Sequence, residues 1–103
     1  MIYFKEGVQL TITKAVQEIL FWAETVWARH GKTCTVTSGT DGEHGKQSKH
    51  YTGYALDLRI RDLQVELLQP IVQGLQKGLG QDYDVVLERD HVHVEYDEHH
   101  AKK

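Results

Sequence analysis

Cysteine and proline occur once each in the 103 residues, as Cys34 and Pro70, and positive charge is not in excess. Each shortage closes off a class of protein. A single thiol forms no intrachain disulfide and cannot build a zinc site from several thiolates. Lys and Arg number 12 against 15 Asp and Glu, which leaves −3 with neutral histidines. That balance argues against the basic face of a nucleic-acid binder. No apolar run approaches the roughly eighteen residues needed to span a membrane. The opening Met1-Ile2-Tyr3-Phe4-Lys5-Glu6-Gly7 also lacks the apolar core of a secretory signal. The expectation is synthesis in the cytoplasm, with any target outside the cell membrane reached by another route.

What is present is ordinary for a soluble chain: 40% hydrophobic and 26% charged residues, enough for one domain over 1–103 with a polar tail from about 97 to 103. Val16, Ile19, Leu20, Ala23, Val26 and Trp27 recur at three- and four-residue steps and predict a helix from about Thr13 to His30. Thr11 or Thr13 suits its start and Gly31 its end. Thr33 to Ser38 is β-branched and reads as a strand, which makes Cys34 a buried structural thiol. Gly39 to Lys49 is glycine-rich and polar, a loop.

Tyr54 to Ile60 alternates, placing Leu56, Leu58 and Ile60 on one side and Ala55, Asp57 and Arg59 on the other. Helical spacing returns from Leu63 to Leu79, with Pro70 expected to kink or restart it. Strands over Tyr83–Glu88 and His91–Tyr96 are close enough for a tight hairpin. The order predicts an α+β fold, a small and mostly antiparallel sheet against two main helices. Trp22, Trp27, Tyr3 and Phe4 read as packing residues.

Two segments concentrate possible metal ligands: Ser48 to Asp57 and Glu88 to Glu95. Without thiolates, zinc takes imidazole nitrogen and carboxylate oxygen, and a catalytic site keeps three protein ligands and one open position. A hairpin turning at Arg89-Asp90 sets Glu88 opposite His91. His91, His93 and Glu95 then share one face, while Leu87, Val92 and Val94 line the other. His99 and His100, in the tail, read as solvated.

Ser48-x-His50-x-x-Gly53-x-Ala55-x-Asp57, followed by Asp90-His91-Val92-His93, resembles the two motifs of the zinc D-Ala-D-Ala carboxypeptidases and phage L-alanyl-D-glutamate endopeptidases. That family is related in fold to the signalling domain of hedgehog proteins. Val36-Thr37-Ser38-Gly39 resembles the strand that precedes the family's long loop. The likeness runs from about Val36 to Glu95. It implies a hedgehog/DD-peptidase-like fold and one Zn2+ per chain on His50, Asp57 and His93. It implies a monomer acting on peptidoglycan peptides of the bacterial wall, after release or within a phage particle, with no nucleic acid or membrane as partner.

By the same resemblance Asp90 is the general base, with Glu88 as its rival by analogy to the hedgehog-like pattern. His91 then holds a water or a developing oxyanion. Ser48 and Tyr51 are near enough in sequence to orient His50, with packing an equal reading of Tyr51. The arginine that many members carry after the Ser-Gly is replaced by Thr40-Asp41, leaving His44, Lys46 and Lys49 as nearby cations. The alternative implied is a hedgehog-like zinc domain that binds a partner, or builds a phage structure, without catalysis.

Overall fold

The computed structural model describes residues 1–39 and 54–97. His44, Lys46, Ser48, Lys49, His50, Tyr51, Gly53, His99 and His100 lie outside the described residues, as does most of the expected loop. The elements in chain order are β1 (Ile2–Phe4), α1 (Lys14–Arg29), β2 (Cys34–Ser38), β3 (Ala55–Arg59), α2 (Val65–Leu79), β4 (Tyr83–Leu87) and β5 (His91–Tyr96).

Local chemistry sets the ends of α1. Thr13 is its N-cap, with the Oγ1 accepting from the Val16 N–H at 3.0 Å, which satisfies one of the donors a helix start leaves unpaired. At the other end Gly31 takes φ 70°. The Gly31 and Lys32 N–H groups donate back to the Ala28 and Trp27 carbonyls, both at 3.0 Å. This is a Schellman closure, and it needs the left-handed conformation that glycine adopts without strain. The apolar stripe expected for this helix is the one it buries: Val16, Ile19, Ala23, Val26 and Trp27 are each at most 1% exposed.

α2 runs through Pro70 as one helix and does not restart. The missing proline N–H leaves the Glu66 carbonyl without its helical partner, and both residues are exposed, so water can serve that carbonyl. Ile71 and Leu75 fill the core beneath. Gly78 lets the two helices close up: a Cβ there would lie 2.5 Å from the Trp22 ring.

The five strands form one sheet in the order β1-β2-β3-β5-β4. It is a mixed sheet, not the mostly antiparallel one expected, because β1 pairs in parallel with β2. β1 has only three residues, too few to show a period of two. α1 between β1 and β2 carries the chain back across the sheet, as parallel neighbours require. The other pairs, β2–β3, β3–β5 and β4–β5, are antiparallel.

Both helices cover one face of this sheet. Cys34, Val36, Leu56, Leu58, Val92 and Val94 point into them and are fully buried. Burial pushes the Cys34 thiol up to about 12, so it stays protonated and unreactive at neutral pH.

Candidate metal centre on the outer face of the sheet

The alternation that buries Leu56, Leu58, Val92 and Val94 sends the residues between them to the face without helices. The register is fixed at the hairpin. The Glu88 N–H donates to the His91 carbonyl at 2.8 Å across the two-residue turn Arg89-Asp90, and Leu87 then pairs with Val92. On the other flank of β5, Asp57 pairs directly with His93 and Arg59 with His91.

These pairings bring Asp57 and His93 together from 36 positions apart: His93 Nδ1 lies 3.0 Å from Asp57 Oδ1. His93 Nε2 lies 2.8 Å from Glu95 Oε1. His91 Nε2 approaches the same Asp57 oxygen at 3.5 Å, and its Nδ1 lies 2.6 Å from Asp90 Oδ1. The result is a chain of alternating acids and imidazoles, Glu95–His93–Asp57–His91–Asp90. Its inner members are half-buried, the Asp57 side chain 15% exposed and that of His93 22%.

Hydrogen bonding to Asp57, reinforced by Glu95, raises the His93 imidazole to about 9 against the opposing effect of burial. At neutral pH the metal-free ring is therefore an imidazolium held between two carboxylates. Asp90 sits in the turn with 85% of its side chain exposed, and its hydrogen bond to His91 holds the carboxyl below its ordinary range. The Glu88 side chain is also exposed.

Of the six residues singled out from sequence, Asp57, His91, His93 and Asp90 are thus brought into one contact network. Glu88 stands opposite His91 at the hairpin end. His50 lies outside the described residues. The donors present fit a zinc centre in type: an imidazole nitrogen and a carboxylate oxygen converge on one face, and the outer nitrogen of His93 is held by Glu95. Such a second partner is what fixes the orientation of metal-bound histidines.

Sequence reasoning placed Glu95 on this face but gave it no role. It also missed a second acidic grouping. Ligand oxygens of Asp84, Glu95 and Asp97, all half-buried, lie within 4.8 Å of one another and could hold a metal ion. The signal was available, since Asp84 pairs with Glu95 across β4 and β5 and Asp97 is two residues further along. Three carboxylates suit a hard cation as well as zinc, so this group does not specify the metal.

A cleft of about 570 Å3 adjoins the network, lined among the described residues by Asp57, His91, Asp90, Lys5, Thr37, Arg59 and Arg61. The register of β2 against β3 shifts between Val36 and Ser38, beside Asp57, and the Thr37 hydroxyl donates to the Asp57 carbonyl at 3.4 Å. Irregularities of this kind re-aim side chains next to functional sites. Among the described residues, no helix is long and apolar enough to cross a membrane.

No protein-family model matches this chain, and no curated protein matches it either.

Proposed function

We propose that this protein is a zinc-dependent peptidase of the hedgehog/DD-peptidase type that hydrolyses peptide bonds in bacterial peptidoglycan. His50, Asp57 and His93 would hold the metal. The observation that carries the reading is the direct cross-strand pairing of Asp57 with His93, with their ligand atoms 3.0 Å apart. The sequence resemblance asks for these two residues in one site, and nothing in their 36-residue separation would bring them together by accident of local structure.

When bound, zinc lowers the pKa of a coordinated water from about 15.7 to about 7 and polarises the carbonyl under attack. The residues of the chain supply the rest. Asp90, ionised at neutral pH, takes the proton from the attacking water. Oxygen joins the carbonyl carbon, the C–N bond breaks, and Asp90 returns the proton to the departing amine. One peptide plus one water gives one carboxylate and one amine. His91, with Nδ1 at Asp90 and Nε2 near Asp57, would turn its Nε2 proton to a developing oxyanion. Glu88 is the second choice of base, on the same face at the hairpin end.

A second reading, a zinc domain that binds a partner without catalysis, draws support from the solvent-facing position of Asp90. One experiment decides between them. Purified peptidoglycan is incubated with the zinc-loaded protein, with and without a chelator, and new peptide ends are read by mass spectrometry. Chelator-sensitive release supports the peptidase. Asp90→Asn is expected to lower turnover by roughly 100- to 10,000-fold with zinc content unchanged. If Asp90→Asn and Glu88→Gln both retain full turnover, the assignment of the base is wrong. Intact peptidoglycan from a folded, zinc-loaded sample would leave the binding domain as the better account.

A further inference from the structure

We propose that Tyr54, Tyr83 and Tyr96, with Glu18 beside them, form a pocket for a small organic cation bearing a quaternary ammonium group. The pocket lies at the end of the sheet away from the Arg89-Asp90 turn, on the helix-covered face. It takes no residue from the candidate metal centre, so the site stands whether or not that centre is a peptidase.

Strand register lines up the three rings. Tyr54 precedes β3, Tyr96 closes β5 and Tyr83 opens β4, and these strands are neighbours in that order. Tyr83 pairs directly with Tyr96, and the Tyr96 N–H donates to the Tyr54 carbonyl at 2.8 Å. Opposed residues share a face, and here it is the face of Val92 and Val94, two and four positions back along β5. At this end α1 begins and α2 finishes, with Lys14 and Leu79 on the pocket wall. The volume is about 490 Å3, within the roughly 300 to 1,000 Å3 of small-molecule sites. Tyr83 closes the back at 4% exposed, and Tyr54 stands open at 38%.

The rings are inclined to one another, not stacked. Tyr83 and Tyr96 meet at 64° with centroids 5.2 Å apart, and Tyr54 and Tyr96 at 48° and 6.1 Å. A flat ligand stacks on one ring and gains less from walls set at an angle. A compact tetrahedral cation meets several walls at once, and the face of each ring is negative.

Charge is placed to match. The Tyr83 hydroxyl donates to Glu18 Oε2 at 2.5 Å. Burial, then this hydrogen bond, push the Tyr83 phenol up, so the proton stays on the tyrosine and the negative charge on Glu18. Among the described residues Asp82 adds a second carboxylate to the lining, and Lys14 opposes the two. Asp84, Glu95 and Asp97 gather at the same end of the sheet and add to the negative potential there. The ammonium of lysine is compact and strongly hydrated. An alkylated ammonium gives up less water on meeting the rings, which is why the pocket suits it better.

The test is an NMR titration of the full chain with choline and with its neutral isostere, the alcohol in which tert-butyl replaces trimethylammonium. Choline is expected to shift the Tyr54 and Tyr96 ring resonances saturably, with a Kd roughly 3- to 30-fold below that of the alcohol. Tyr54→Phe, which keeps the ring face, should preserve that ratio, and Tyr54→Leu should bring it towards one. Glu18→Gln should weaken choline and leave the alcohol nearly unchanged, whereas Lys14→Gln should tighten choline. Equal affinity for the two ligands in the wild-type chain overturns the cation site, and that comparison needs no substitution. Absence of saturable shifts at the tyrosines overturns it as well, as does a full preference for choline in a folded Tyr54→Leu chain.

Discussion

The two faces of the sheet are built from the same five strands, residue by alternating residue, and they do opposite work. Leu56, Leu58, Val92 and Val94 are fully buried against α1 and α2. Their immediate neighbours Asp57, Arg59, His91, His93 and Glu95 face the other way and carry charge and imidazole. The inner face owes its stability to apolar area removed from water. The outer face places half-buried ionisable groups within hydrogen-bond reach of each other, an arrangement that the proposed function assigns to the binding of a cation. Because β-strand side chains have a period of two, a single backbone registers both sets at once. The comparison teaches that fold and site are mechanically coupled and energetically separable.

That separation can be attacked directly. The largest effect is expected from His93→Ala. It should lower zinc affinity by well over the roughly 100-fold that loss of an outer partner can cost, while the metal-free chain keeps its circular dichroism spectrum. Loss of folding along with zinc would show that the two faces are not separable. Leu58→Ala is the reciprocal case. Its side chain is fully buried, and truncation should cost about 2–5 kcal/mol in urea unfolding with one zinc still bound by the folded fraction.

Glu95→Gln comes next in size. It weakens the 2.8 Å contact to His93 Nε2 and should reduce zinc affinity by roughly 10- to 100-fold without abolishing it; unchanged affinity would remove Glu95 from the site. The smallest effect, taken per pH unit, is a pH dependence. The folded-state pKa of His93 is raised to about 9, so the stability it contributes to the metal-free fold is fully present below about pH 6.5. That contribution is lost as pH rises through 9. Zinc competes with the same proton, so its apparent affinity should rise about tenfold per pH unit across this window and level off above 9. Calorimetry in two buffers of different ionisation enthalpy should count at least one proton released at pH 7. A count near zero would mean that His93 is already neutral or takes no part.

Much of this architecture is legible in the sequence because it is local. The stripe Val16, Ile19, Ala23, Val26, Trp27 and the alternation around Asp57 and His93 are statements about neighbours along the chain, so period alone discloses them. The hairpin was legible for the same reason, since two residues between Glu88 and His91 leave one way to turn. β1 was not legible, because three residues show no period and its partner lies beyond a 16-residue helix. The continuity of α2 through Pro70 depends on an exposed carbonyl, which sequence does not reveal.

In the site, Asp57 and His93 came from a motif resemblance, and the β3–β5 register sets them side by side. The meeting of Lys5 with Arg59 and Arg61 at one cleft could not be anticipated, because it requires two distant segments to align across β2. Asp84 and Asp97 joined Glu95 only once the β4–β5 pairing was known. Distance in sequence, more than chemical type, separates what was read from what was missed.

The two-residue turn at Arg89-Asp90 has a consequence for how the sequence can change over generations. A single residue inserted into β5 directly after His91 would carry His93 and Glu95 into the apolar layer and bring Val92 and Val94 out to water, if the strand held its pairing at the turn. Both the core and the Asp57–His93 pair would be lost in one event. Two residues inserted together would restore the faces. Descendants of this chain should therefore vary in the length of this strand by even steps, and their loops, free of that parity, should record the odd ones.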